Sequence, residues 1–214
     1  MGILRRDIRM NGKVLLNGND LYKQPPKERR ELCGTTLGFI PQIPMTAFDP
    51  RLSLGHQMCE TFRYKLRCSR KDADALSNAC LLQVNLTDAE RILRSRPSGL
   101  SGGMLQRVAF AFQLGLSPEY ILADEPTSAL DGENSDILLG LLEQQKKTAG
   151  ILFVSHDYHA LERICDQVVI LQDGESVLYD SFEEVVHHPQ QEWAKQFVDY
   201  HRIPEKGDFR WMAS

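Results

Sequence analysis

Asp124 and Glu125 are the residues of this 214-residue chain best equipped for chemistry. They close the apolar run Tyr120-Ile121-Leu122-Ala123, which reads as a short buried parallel strand. Two adjacent carboxylates at the end of such a strand are costly to desolvate unless something compensates them. A divalent cation and a polarised water do so. In phosphoryl transfer a strand-end Asp helps hold Mg²⁺, and a second acid positions the attacking water. Taken alone, the pair also fits an acidic turn in an unrelated α/β domain.

A second chemical feature precedes them. Leu100-Ser101-Gly102-Gly103 opens a helix: Ser101 is a good N-cap, and the glycines leave backbone N–H groups open to an anion. Met104, Leu105, Val108, Phe112 and Leu116 recur at helical spacing, and Gly115 to Pro118 ends the helix. Pro126-Thr127-Ser128-Ala129-Leu130-Asp131 is the turn leaving the strand.

The two blocks, L-S-G-G-M-L-Q-R and I-L-A-D-E-P-T-S-A-L-D, in this order and separation, resemble the nucleotide-binding subunit of an ABC transporter. The resemblance assigns Leu100–Gly103 to the family signature, with Ser101, Gly102 and Gly103 binding nucleotide. It assigns Ile121–Asp124 to Walker B, Glu125 to the catalytic glutamate, and Ser128–Asp131 to the D-loop, with Asp131 also at the nucleotide. Gln42 follows the strand candidate Leu37–Ile40 and matches the Q-loop glutamine. Gln42 and Asp124 would then hold Mg²⁺. His156 follows the strand candidate Gly150–Val154 and matches the switch histidine, which would bond the γ-phosphate and orient water with Glu125. On their own, Gln42 reads as a loop residue and His156 as a structural or exposed one. The motif P-M-T-A-F-D-P at 44–50 resembles P-M-T-S-L-N-P of oligopeptide, dipeptide and nickel importer ATPases, although Ile43 stands where an acid is common. H-H-P-Q-Q-E-W-A-K-Q-F, from His187, resembles the segment after their core. Adjacent His187 and His188 face different ways on a helix, and no third ligand is evident, so they do not make a metal site.

The fold so implied is α/β, a P-loop NTPase-like ABC ATPase core with a mostly parallel sheet. An ATP-binding domain would span 1–200, with a helical subdomain inserted at about 53–100, and a tail over 201–214. The implied activity is ATP hydrolysis coupled to uptake of a peptide or nickel-type solute. ATP and Mg²⁺ are the cofactors. Permease subunits and a second ATP-binding subunit in a head-to-tail dimer are the partners, with a solute-binding protein engaged indirectly. The place is cytoplasmic, peripheral on the inner face of the membrane.

One departure matters. No G-x-x-x-x-G-K-[ST] occurs in the sequence; Gly12-Lys13 is followed by Val14, and Asp7 occupies the first glycine position. Residues 2–5 resemble the last turn of the helix that follows a P-loop. The reading is a chain that begins just downstream of the P-loop and lacks the N-terminal portion with Walker A, so the chain alone is expected to bind ATP weakly. Two alternatives follow: a non-catalytic partner lending its signature to another subunit's P-loop, or a truncated, non-functional product. A non-transport ABC ATPase acting on DNA or ribosomes is the remaining competitor.

Composition disfavours the last. The net charge is -4, against nucleic-acid binding; the chain is 42% hydrophobic and 25% charged, ordinary for a globular protein. No apolar run spans a bilayer. The N-terminus lacks a signal-peptide core. Five cysteines without a C-x-x-C suggest reduced thiols. Further elements are a strand at Val14–Leu16, a charged helical turn at 25–32, and helices over 53–95. In the latter, Leu54, Met58 and Phe62 form one stripe, Ala75, Ala79 and Leu82 another, and Lys65–Asp74 a solvated connection. Later come a helix at 133–147, a short one at 157–166, a hairpin turning at Asp173-Gly174, and a helical tail at 182–201.

Overall fold

The structure, a computed structural model, describes residues 11–187 and Lys195. Sequence readings at residues 2–7 and on His188, Trp193, Phe197 and Val198 lie outside this range. The chain divides into two units, 1–155 and 156–214.

In the first unit, β1 (Leu15–Leu16) and β2 (Asn19–Asp20) form a hairpin whose turn residues Asn17 and Gly18 both take positive φ. The charged helix α1 (Pro26–Leu32) starts on a proline, as a first helical turn tolerates. β3 (Leu37–Ile40) follows, then a 3₁₀ turn at Pro44–Ala47. Helices α2 (Leu54–Leu66), α3 (Arg70–Gln83), α4 (Ala89–Arg94) and α5 (Gly102–Leu116) come next. β4 (Tyr120–Asp124), α6 (Gly132–Gln145) and β5 (Gly150–Val154) complete the unit.

β3, β4 and β5 form one parallel sheet in that order, with Ile40 level with Ala123, and Asp124 with Val154. The expected parallel strands are therefore present, and their C-terminal ends lie side by side. Gly38 and Ile40, Ile121 and Ala123, and Phe153 are the buried positions on the three strands. α5 packs on β3. The alternate positions look outward: Phe39 is 38% exposed, Leu152 62% and Val154 51%.

The helical layer is held by aromatic packing. Leu54, Met58 and Phe62 are fully buried, as their spacing requires. Phe112 of α5 lies between Phe62 (ring centroids 5.5 Å apart) and Phe48 (6.1 Å). Gly115 is where α5 touches Phe62: a Cβ there would stand 2.5 Å from its ring.

Two readings of this layer are corrected. The segment 65–74 is mostly helix, because Arg67 turns the chain in the left-handed region and Ser69 starts α3 with a capping box to Asp72. α3 buries Ala73, Ser77, Cys80 and Leu81, not the Ala75, Ala79 and Leu82 stripe. Ser77 can enter the core because its hydroxyl donates to the Ala73 carbonyl at 2.8 Å.

In the second unit, Asp157 caps α7 (Tyr158–Ile164). β6 (Gln167–Gln172) and β7 (Glu175–Ser181) form the expected hairpin, with Asp173 and Gly174 both at positive φ. α8 (Phe182–His187) follows, and Tyr158 and Val186 pack with Phe182. None of the five cysteines is in a disulfide. No helix among the described residues is long and apolar enough to cross a membrane.

Candidate nucleotide site

Glu125 is the first residue past β4, and it is bent. Its φ of +45 places a non-glycine residue in the left-handed region, a conformation that clusters at functional sites. Its N–H donates to the Val154 carbonyl of β5 at 2.8 Å, and its own carbonyl accepts from the Ser128 hydroxyl at 2.9 Å. Sheet and turn together thus impose the bend that turns the chain out of the strand just after Asp124. Asp124 and Glu125 are both half-buried.

Gln42 lies two residues past β3, the strand beside β4, and is exposed. Gln42, Asp124 and Glu125 therefore share the C-terminal edge of the sheet, where open parallel sheets bind ligands. No cluster of three His, Cys, Asp or Glu side chains suited to a metal occurs among the described residues. That donor set, one or two carboxylates and an amide oxygen, fits Mg²⁺, which keeps waters and takes further oxygens from substrate phosphates.

The second group of residues lies at the start of α5. The Ser101 hydroxyl accepts from the Met104 N–H at 3.3 Å, so Ser101 is the N-cap predicted. Nothing stands within 4 Å of a Cβ built on Gly102, so its N–H is approachable. Gly103 is different: a Cβ there would meet the Ala129 carbonyl at 3.0 Å and Leu130 at 3.5 Å. The glycine lets the helix start sit against the 128–131 turn. Asp131 ends that turn and caps α6, accepting from the Asn134 N–H at 3.0 Å and its side-chain amide at 2.8 Å. These bonds hold the Asp131 carboxyl below its ordinary pKa. Ser101, Gly102, Gly103 and Asp131 thus share one surface: an anion-seeking helix terminus beside a carboxylate.

His156 is exposed and follows β5 by two residues, at the start of the second unit.

Sequence reasoning missed the residues that hold the loop after Gln42. Asp49 pairs with the Arg51 guanidinium at 2.7 Å, which lowers its pKa to about 2. Gln57 of α2 reaches back, accepting from the Asp49 N–H at 2.8 Å and donating to its carbonyl at 3.0 Å. Gln106 of α5 donates to the Pro41 carbonyl at 3.3 Å. The helical spacing of α5 gave no signal for Gln106, which lies off its apolar stripe.

Comparison with known proteins agrees with this geometry. The sequence model of the ABC transporter family matches residues 2–128. A metal-staphylopine import system ATP-binding protein, CntD, of Staphylococcus aureus is 32% identical over 200 residues, covering 92% of this chain and 74% of that protein. The chain belongs to the ABC transporter family, as an ATP-binding domain. A probable D,D-dipeptide transport ATP-binding protein, DdpD, of Escherichia coli K12 is 32% identical over 200 residues, spanning 91% of this chain and 61% of the relative. The glutathione import ATP-binding protein GsiA of Escherichia coli O1:K1 is 34% identical over 190 residues, 88% of this chain and 30% of that one. The solved dimer of the ATP-binding cassette MJ0796 in a post-hydrolysis state bound to ADP and Pi superposes with a TM-score of 0.72 at 26% identity, covering 80% of this chain and 73% of the other. The fold is therefore the ABC ATPase fold, with its parallel sheet and helical layer.

Proposed function

We propose that this chain is the ATP-hydrolysing subunit of an importer for a peptide or metal-carrying solute, working on the inner face of a membrane. The observation that carries this is the shared sheet edge of Gln42, Asp124 and Glu125, together with the open helix terminus at Gly102 beside the 128–131 turn. Asp124 and the Gln42 amide oxygen hold Mg²⁺. Glu125 takes the proton of the attacking water, and His156 bonds the γ-phosphate. Ser101, Gly102, Gly103 and Asp131 face a nucleotide seated on a second subunit in a head-to-tail dimer. The exposed apolar side chains of Ile43, Met45 and Leu52, next to Gln42, support docking of a permease there. The names of the import-system relatives support the solute class.

The test is Mg²⁺-ATP turnover by the chain assembled with permease and second ATPase subunits. Glu125→Gln is expected to lower kcat about 10²–10³-fold with little change in KM. Gly102→Asp, which sets a carboxylate where phosphate is expected, should also abolish turnover. Absence of turnover in the wild-type assembly, or its capture with nucleic acid instead of permease, would sink the proposal.

A further inference from the structure

The Gln42 loop is fastened to α5 at both ends. At its start, Gln106 Nε2 donates to the Pro41 carbonyl, across 65 positions of sequence. At its end, Phe48 stacks on Phe112. Between them the Pro44–Ala47 turn packs against α5 as well. Gln106 is 1% exposed, and its Oε1 is buried without a hydrogen-bond partner. A buried amide that satisfies only one of its two ends is expensive, so packing alone does not explain a glutamine at this place. Leucine or methionine would fill it without that penalty. The amide is useful only for where its N–H points.

We infer that Gln106 is a positioning residue, a polar latch that makes the Gln42 loop and α5 move as one body. The N-terminus of the same helix carries Ser101, Gly102 and Gly103. A displacement of α5 driven at its nucleotide end is thereby delivered to Pro41, and so to Gln42 and the exposed Ile43 and Met45 beside it. The single bond is the polar part of that connection; Phe112 is the apolar part. In its mechanical meaning the inference rests on the importer reading above, but the latch itself does not.

Hydrogen exchange on the full 214-residue chain tests the latch without nucleotide. Gln106→Met keeps side-chain length and volume and deletes the donor. The amides of residues 42–48 other than Pro44, with Thr46 bonded to the Ile43 carbonyl among them, should then exchange about five- to ten-fold faster, the loss of one buried bond, while those of β4 and the body of α5 stay unchanged. Gln106→Glu supplies a second variant with its own signature. Its protonated carboxyl can donate to Pro41, and its ionised form cannot. Protection of 42–48, corrected for intrinsic rate, should therefore be retained at low pH and lost as pH rises. No change at 42–48 in either variant, or faster exchange spread evenly over β3, β4 and α5, overturns the latch. In the assembled transporter, Gln106→Met should lower solute taken up per ATP hydrolysed several-fold; unchanged coupling also overturns it. An assembly that hydrolyses no ATP in wild-type form refutes the importer reading, and the exchange data still decide the latch.

Discussion

Glu125 holds the chain in a conformation its side chain disfavours, and this has a measurable consequence. Left-handed backbone at a non-glycine residue costs on the order of 1 kcal/mol, and asparagine tolerates it best. Glu125→Asn is therefore expected to stop ATP turnover while leaving unfolding free energy unchanged or raised by up to about 1 kcal/mol, read by urea titration. A loss greater than about 1 kcal/mol would mean that the carboxylate itself supports the fold. Asp49 gives a pH prediction. Its pKa in the folded chain is lowered to about 2, first by the Arg51 side-chain hydrogen bond. A carboxyl depressed by folding stabilises above its unfolded value and loses that contribution as pH falls through the folded one. The Asp49–Arg51 pairing should thus survive to near pH 2, and Arg51→Ala should raise the Asp49 carboxyl only part of the way back to its ordinary value, because the backbone N–H of residue 51 still donates to it at 2.9 Å, seen by NMR titration. At this scale, Asp124, Glu125 and Ser101 were legible because strand end and helix cap are local patterns. Gln106 and Gln57 were not, because their partners are backbone groups that only tertiary packing brings near.

Among the elements, α5 is the most constrained. It is opened by Ser101, Gly102 and Gly103, meets Phe48 and Phe62 along its length, and leaves no room at Gly115. Phe62 is fully buried and cannot swing away. Gly115→Ala should therefore cost about 1–3 kcal/mol of stability, the range for overpacking a core, despite the better helix propensity of alanine. A neutral or stabilising result by denaturant titration would show that α2 and α5 can separate. The sequence located this helix well, since its apolar spacing runs unbroken. α3 was harder. Leu81 and Leu82 offer two equally apolar faces, and only the satisfied hydroxyl of Ser77 lets the true face turn inward. The start of α3 was hidden by charge, because Arg70 to Asp74 reads as solvated loop until the Ser69 capping box is seen.

Across the whole molecule, the sheet leaves apolar side chains uncovered on one face, with Phe39, Leu152 and Val154 all more than a third exposed. Such a face favours self-association. The 214-residue chain should bind a hydrophobic dye in proportion to this surface. Leu152→Thr with Val154→Thr should lower dye binding and light scattering while keeping strand propensity. Unchanged scattering would locate the sticky surface elsewhere. The parallel register also orders events in time. β4 and β5 are joined through α6 by a short crossover, whereas Thr36 and Glu119, at the start of the β3–β4 pairing, are 83 residues apart. Closing the larger loop carries the larger entropic cost, and non-local pairings form slowly. The strand that brings Gln42 to the carboxylates is thus expected to join last. During refolding the chain would pass through a stage in which Asp124 and Glu125 are already set on paired strands while the loop that carries Gln42 has yet to arrive.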